Sequence, residues 1–259
     1  MKYLWLLLLC FNLAFAKDIT ATYKVSFGIF GQIGTAKTSL HIEKNHYQIK
    51  VHAKSTGFAS FVSGGREEFY ESEGVVQGTR LIPNHYSKIV KNKMNIGDPF
   101  EHTNKIVMKI YTLLFSFDHD KKSVMIKKIR EKGAQKSQEE ERAKFYTDND
   151  ILSLFFNFKH LFPDLNITKH TILHAIGANK DNGKIDILPL SKKEFQNLVS
   201  GDMSHLYFMK VILDDKIFSS KKGELYIALD KEGICEKAVL KDVVFFGDIR
   251  GELIEKSIK

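Results

Sequence analysis

The chain has 259 residues, of which 43% are hydrophobic, and its 39 lysines and arginines outnumber its 31 aspartates and glutamates to give a formal net charge of +8. The basic residues are scattered, with no dense arginine patch and interleaved aromatic residues, so nucleic acid is not an expected partner. A basic chain can lie near anionic lipid head groups or glycan, but scattered lysines also solubilise the outer faces of strands, and this second interpretation is favoured.

The first sixteen residues have the layout of a secretory signal peptide. Lys2 is followed by an almost wholly apolar run from Tyr3 to Phe15, which ends in the small-x-small sequence Ala14-Phe15-Ala16. The alternative is a membrane anchor, but the run is shorter than the roughly 20 residues that span a bilayer. We therefore expect cleavage after Ala16, a periplasmic location and no stable membrane span after cleavage.

Cleavage would remove Cys10 and leave Cys235 as the single cysteine, so no intramolecular disulfide is expected. Residues 17–259 must then fold on a hydrophobic core alone, and they are long enough to do so. We expect one mostly β exported domain, either a single elongated body or two closely packed lobes.

Alternation of apolar and polar residues indicates half-buried strands. It is clearest from Ile19 to Ile29 and from Tyr47 to Lys54, and it is weaker at residues 106–110 and 225–229. Gly31 and Gly34 indicate a turn or bulge. Turn sequences separate many of these runs, which predicts an antiparallel sheet that curls or closes.

One segment has helical spacing instead, and residues 150–162 are expected to form one central amphipathic helix. Its apolar positions are Ile151, Leu154, Phe155, Phe158 and Phe162. Asp148, Asn149 and Asp150 are candidate caps, and Pro163 follows the end. The aromatic stripe is either simply core or the lining of an apolar groove, in which case Phe155, Phe158 and Phe162 bind a ligand.

Residues 130–144 are rich in charged side chains and indicate an exposed connection between two halves of the chain. A second short helix is expected within residues 191–199, where Phe195, Leu198 and Val199 share a face.

No set of residues predicts catalysis, a metal site or a cofactor. His170 and His174 lie four apart, but no third ligand is near them in the sequence. Glu67 and Glu68 point to opposite faces if they lie on a strand. The pair Asp214-Asp215 is typical of a turn, and the pair of Asp148 and Asp150 is better explained by helix capping.

Cys235 is isolated, between Ile234 and Glu236. A catalytic thiol needs a local base or a positive field, so a packed structural thiol is the favoured interpretation.

Asn166 begins an Asn-x-Thr sequence with Asp164 two residues before it. Asn-x-Ser/Thr marks a glycan acceptor in exported proteins, and the added acid resembles the extended acceptor used by some bacterial periplasmic oligosaccharide transferases. Asn166 is therefore a candidate glycosylation site.

Several short motifs resemble the family of exported bacterial proteins called domain of unknown function 3108. They lie at residues 23–28 with 31–34, 83–86, 115–118, 150–153, 223–229 and 243–253. The charged segment 130–144 departs from the family pattern. The resemblance implies a curved antiparallel β structure, similar to periplasmic carriers of lipoproteins, and it brings no activity and no catalytic residues.

Together these observations predict a mainly β fold, with a strongly curved antiparallel sheet (half-barrel or spiral) packed on one central helix. The expected function is that of a non-catalytic periplasmic envelope protein, which binds an apolar ligand or a protein partner; lipid and envelope proteins are the partners considered. The alternative is an enzyme acting on cell-wall or lipid substrates, which needs acid, base or thiol groups that converge in one cleft.

Overall fold

The computed structural model describes residues 17–96, 105–214, 220–243 and 247–259. The predicted signal peptide and Asp215 lie outside the described residues. In chain order the first eight strands are β1 (Lys17–Phe27), β2 (Gly31–Glu43), β3 (His46–Ser55), β4 (Glu67–Gln77), β5 (Arg80–Asn95), β6 (Ile106–Asp118), β7 (Ser123–Lys132) and β8 (Gln135–Arg142).

The remaining strands are β9 (Thr171–His174), β10 (Lys184–Pro189), β11 (Tyr207–Ile212), β12 (Glu224–Leu229), β13 (Cys235–Val243) and β14 (Gly247–Ile258). Four short helices are α1 (Gly57–Ser63), α2 (Ile151–Phe156), α3 (Phe158–Leu161) and α4 (Lys192–Gln196). A 3-10 turn, Gly28–Phe30, joins β1 to β2. Among the described residues no helix has the length and apolar character needed to cross a bilayer.

All fourteen strands form one antiparallel sheet, which confirms the predicted mainly β, antiparallel class. Their order is β8-β7-β6-β5-β4-β3-β2-β1-β14-β13-β12-β11-β10-β9. Each half of the chain is a meander of neighbouring strands, and the first and last strands pair with each other in the middle. Since β8 and β9 do not pair, the sheet is not closed.

The alternating segments lie in strands as predicted. The two clearest, from Ile19 and from Tyr47, form β1 and β3, although β1 ends at Phe27 before the 3-10 turn. A register shift confirms the bulge expected near the glycines: Val25 pairs with Gly34, and Ser26 pairs with Gln32.

Residues 130–144, predicted to be an exposed loop or connection, contain the end of β7 and all of β8, so most of this exposed segment is strand and not loop. Cross-strand ion pairs explain why so polar a sequence forms a hairpin. Examples are Lys128 with Glu141 at 2.7 Å and Arg130 with Glu139 at 2.6 Å. Every residue of β8 is exposed, and charged side chains on an edge strand also oppose pairing with another chain.

The single helix predicted over residues 150–162 is two short helices, α2 and α3, separated at Asn157. The backbone of Asn157 has φ −79° and ψ −3°, and a ψ near zero departs from regular α-helix geometry. Helix α4 begins with a capping box of Ser191 and Glu194, and it buries Phe195.

The segment comprising α2 and α3, called here the helical segment, contributes to three buried clusters. Leu154 and Phe158 pack with strands β10 to β12. Leu152 packs both with the cluster of β1 to β3 and with the cluster around Tyr86 and Phe115. The helical segment is therefore in contact with side chains from both halves of the sheet.

A close approach between Gly177, which follows β9, and Tyr86 of β5 can be tested with two glycine substitutions. A Cβ added at Gly177 would lie 2.8 Å from Tyr86 Cε1, and Gly177 has φ +92°, whereas Gly78 has φ +63° and open space around it. We expect Gly78→Ala to lower the free energy of unfolding by about 1 kcal/mol, the cost of a left-handed residue. Gly177→Ala should cost about 3 kcal/mol, because overpacking adds to that cost.

Urea unfolding of both variants measures the two losses. Equal losses would contradict the contact between Tyr86 and Gly177. Combining Gly177→Ala with Tyr86→Leu should recover part of the loss, because the smaller side chain makes room for the added methyl group.

Candidate functional site

The aromatic stripe predicted to bind a ligand lies against the core. The ring centroid of Phe158 lies 6.3 Å from that of Phe155 and 4.8 Å from that of Phe162. Phe158 is only 1% exposed, and the other two rings are half-buried against the same cluster. The fold thus brings the three residues together, and their rings are used in packing.

Two of the cavities on the described surface are lined by residues outside the stripe. One of about 310 Å³ is polar and lies beside the loops that follow β9 and β11, where Asn179, Asp186 and Asp214 line it. The other, of about 170 Å³, lies between β6, β7 and β8. Neither cavity is enclosed and apolar in the manner of a typical small-molecule site.

The buried carboxylate of Asp150 caps α2, as the sequence predicted. Asp150 Oδ1 accepts hydrogen bonds from the backbone N–H groups of Leu152 (2.7 Å) and Ser153 (2.9 Å). Ser153 Oγ accepts from the backbone N–H of Asp150 at 3.0 Å, which completes a capping box. On the other side Ser72 of β4 donates to Asp150 Oδ2, and Ser72 Oγ is hydrogen-bonded to the hydroxyl of Tyr47 at 2.9 Å.

This network attaches the start of α2 to the sheet. Burial raises the pKa of Asp150 to about 6, although the hydrogen bonds from Ser72, Ser153 and Leu152 oppose the shift. All of the carboxylate's described contacts serve the cap and the attachment to β4, which is a structural role.

Asn157, which the sequence analysis did not single out, makes a second attachment. Its side-chain Oδ1 accepts from the backbone N–H of Leu81 (2.8 Å), and its Nδ2 donates to the carbonyl of Leu81 (2.9 Å). The pairing of β5 with β6 begins only at His85. The carboxamide therefore takes the place of a neighbouring strand at Leu81, and both backbone groups are satisfied.

The two histidines considered as metal ligands have separate partners. His170 Nε2 lies 2.6 Å from Asp186 Oδ1, and His174 Nδ1 lies 2.9 Å from the carbonyl oxygen of Asn182. No group of three or more His, Cys, Asp or Glu side chains in the described residues is arranged to hold a metal ion.

Glu67 and Glu68 also have separate partners, Lys54 at 3.0 Å and Arg66 at 2.6 Å. The thiol of Cys235 donates to the carbonyl of Lys237. Burial raises the pKa of this thiol to about 12, so the thiol stays protonated and a poor nucleophile.

Exposed apolar side chains collect at one end of strands β1 to β6. Thirteen large hydrophobic residues are exposed among the described residues, and seven of them lie at this end. We call these seven the apolar end: Phe30, Phe61, Val62, Met94, Ile96, Ile106 and Met108. The most exposed are Phe61 at 87% and Ile106 at 67%.

Backbone contacts hold the parts of the apolar end together. Helix α1 ends at Gly64, which has a left-handed backbone, and the carbonyl of Gly64 accepts from the backbone N–H of Lys93 at 2.8 Å. This bond places the end of α1 beside the end of β5. At the other side of α1, the backbone N–H of Thr56 donates to the carbonyl of Ile33 in β2 at 2.8 Å.

The apolar side chains occur on both faces of the sheet at this end. Ile106 is opposite Asn95 in the pairing of β5 with β6, and Met108 is opposite Lys93, so these two apolar residues share a face. Met94 is opposite Val107 and projects from the other face. Exposed apolar side chains therefore lie on both sides of the strand ends, and together they form an apolar tip.

Both acidic and basic side chains lie near the apolar end in the described part of the chain. Glu67 and Glu68 are neutralised by their pairs with Lys54 and Arg66. Three exposed lysines lie close by, on β5, just before β6 and on β6, and none of them forms an ion pair in the part of the chain that the structure describes: Lys93, Lys105 and Lys109.

The model of one family, described as "Protein of unknown function (DUF3108)", matches residues 22–96. Residues 22–96 are therefore similar to this family. The comparisons with curated proteins and with solved structures gave no match.

The segment that matches the family model includes α1 and most of the apolar end. No pattern in the sequence predicted this surface, although a signal was present: Phe30 directly precedes Gly31, and Phe61 lies between Gly57 and Gly64, in connections where polar residues are the usual choice. The sequence alone does not show that these separate connections lie at the same end of one sheet.

Substitution of Asp150 by Asn tests the buried cap. Because the folded-state pKa of about 6 lies above the ordinary value of 3.8, the folded protein binds more protons than the unfolded chain between these two pH values. The contribution of Asp150 to the free energy of unfolding should therefore fall by about 3 kcal/mol as pH rises from 4 to 7. Asp150→Asn should remove this fall.

The measurement is urea unfolding of both proteins at several pH values. Asp120→Asn, in an exposed turn, controls for the loss of one negative charge. A stability difference between wild type and Asp150→Asn that rises with pH would mean that the hydrogen bonds to the carboxylate outweigh its burial.

Proposed function

We propose that this protein is a non-catalytic periplasmic envelope protein, in which the sheet and the helical segment form a filled scaffold and the apolar end contacts the partner. The layout of residues 1–16 supports export and cleavage after Ala16. The observation that carries the choice of surface is the clustering of seven exposed apolar residues at one end of the sheet.

We also propose that the sheet curves strongly around the helical segment. Tyr86 of β5 lies against Gly177, which follows β9, and these strands are ten positions apart in the sheet order. In a flat sheet they would be about 48 Å apart, at about 4.8 Å per strand. Lys144, just after β8, lies 2.6 Å from Asp181 in the loop after β9, which supports an approach of the two edges.

A scaffold role for the helical segment is supported by the burial of its apolar side chains and by the hydrogen bonds of its polar side chains to the sheet. Leu154 and Phe158 are each 1% exposed, and Asp150 and Asn157 are hydrogen-bonded to the sheet. An apolar ligand at Phe155 and Phe162 is a second candidate, favoured by their half-buried rings. The apolar end is preferred because contiguous exposed apolar surface marks interaction sites.

A non-catalytic role is supported by the structural roles of the acidic side chains and of the thiol. Asp150 caps a helix, and Cys235 is a buried thiol whose pKa is raised. Glu67 and Glu68 form separate ion pairs. Each of these groups has a structural explanation, so none calls for a catalytic one.

Photo-crosslinking in the native host tests the proposed contact surface. A benzophenone amino acid replaces Phe61 at the apolar end or, as a matched control, Asn45 in the exposed turn at the opposite end. We expect irradiation of intact cells to produce covalent adducts at position 61 and not at position 45, because only the apolar end is in contact with a partner. Adducts are detected as an increase in the mass of the protein.

Equal adduct formation at both positions, or none at position 61, would contradict the proposal. The control is informative because position 45 lies at the end where the turns are polar. It therefore measures random collisions in the same compartment.

We further propose a glycan on Asn166. The side chains of Asn166 and Thr168 are exposed, between the buried residues Leu165 and Ile167. The intact mass of the protein purified from its host should exceed the mass of residues 17–259, and Asn166→Gln should remove the excess. A mass equal to that of the bare chain would exclude the modification and would leave the proposed contact surface unaffected.

A further inference from the structure

We infer that the apolar end binds the surface of an anionic lipid bilayer. This inference rests on the proposed function, since it names the partner of the surface proposed there. The shape of the apolar end, its charge and its backbone hydrogen bonds favour a membrane over a protein as the partner.

The shape of the apolar end suits a fluid partner. Ile106 and Met108 project from one face of the sheet and Met94 from the other, and Phe61 extends from the neighbouring helix α1 with 87% of its surface exposed. A protein would need a matching cavity to cover a tip of this kind. The acyl boundary of a bilayer accepts apolar side chains from all sides.

The charge around the tip suits anionic head groups. Lys93, Lys105 and Lys109 are exposed and free of ion pairs among the described residues. Lys93 lies opposite Met108 in the strand pairing. A lysine in this position can keep its ammonium group at the level of the head groups while its methylene chain follows the apolar side chains.

Two backbone N–H groups in the described part of the tip are hydrogen-bonded within the protein. The backbone N–H of Ile96 donates to the carbonyl of Lys105 (2.8 Å), and that of Gly65 donates to the carbonyl of Ser60 (2.7 Å). Unsatisfied peptide groups are costly in an apolar medium, so these internal bonds lower the cost of placing the tip in the membrane interface.

The opposite end of the same strands provides the contrast. Its connections consist of polar residues and glycine: Lys44-Asn45, Gly78-Thr79 and residues 119–122. Among the described residues of strands β1 to β6, the exposed apolar side chains are concentrated in or next to the connections at one end. This predicts a fixed orientation, with the strand ends directed at the membrane.

A single tryptophan reports contact with the membrane. The chain's only tryptophan, Trp5, lies in the predicted signal peptide, so Phe61→Trp in the processed protein gives a unique probe, and Asn45→Trp is its matched control. With vesicles of phosphatidylglycerol and phosphatidylcholine, we expect the emission at position 61 to shift to shorter wavelength and to be quenched by brominated lipid. The emission at position 45 should not change.

Co-sedimentation with the same vesicles measures the energetic contributions. We expect Phe61→Ser combined with Ile106→Ser to weaken binding at least about tenfold, since apolar insertion is lost. Lys93→Gln combined with Lys105→Gln should weaken it about tenfold, and pure phosphatidylcholine should bind wild type weakly. Ile254→Ser combined with Ile258→Ser removes two other exposed apolar residues, and it should leave binding unchanged.

The outcomes separate this inference from the proposed function. No emission shift at position 61, together with a protein adduct at position 61 in cells, would overturn the membrane inference and leave the proposed contact surface standing. Equal vesicle binding by wild type and by the Phe61→Ser, Ile106→Ser variant would also overturn it. No adduct of any kind at position 61 in cells would contradict the proposed function itself.

Discussion

The pairing of β1 with β14 is the interaction on which the single sheet depends. It runs from Ile19 opposite Ile258 to Phe27 opposite Ile249, and Asp18 and Lys259 add two further backbone hydrogen bonds beyond it. Each half of the chain is otherwise a meander of local hairpins. Because this contact joins the two termini of the described chain, it has the largest loop-closure cost in the fold, and the halves can only become one sheet when it forms.

The helical segment supplies the second link between the halves, and its attachment is polar as well as apolar. Ser72 and Leu81, in two neighbouring strands, bond to Asp150 and Asn157 respectively. Apolar packing alone would leave the segment free to slide along a smooth surface, whereas buried hydrogen bonds are satisfied in only one position. The cap and the carboxamide thus fix the place of the segment along the sheet.

Local patterns predicted the elements whose determinants are local. β1 and β3 follow from alternation, and the α2 cap follows from Asp150 and Ser153. The contact made by Asn157 could not be predicted in the same way, because its partner Leu81 is 76 residues away in the sequence. Strand β8 could not be predicted from its charged composition, since its ion pairs with β7 exist only after the two strands pair.

The apolar end could not be predicted from the sequence, because it depends on the topology of the sheet. In an antiparallel meander every second connection lies at the same end, so those of β1 to β2, β3 to β4 and β5 to β6 meet there, while the intervening turns meet at the other. Apolar residues that are far apart in the sequence, in alternate connections, therefore lie together at one end of the sheet. Such residues do not contribute to the core, and exposing them costs solubility. Their concentration in alternate connections, with polar turns between, fits a surface kept for contact with another body better than it fits a scaffold alone.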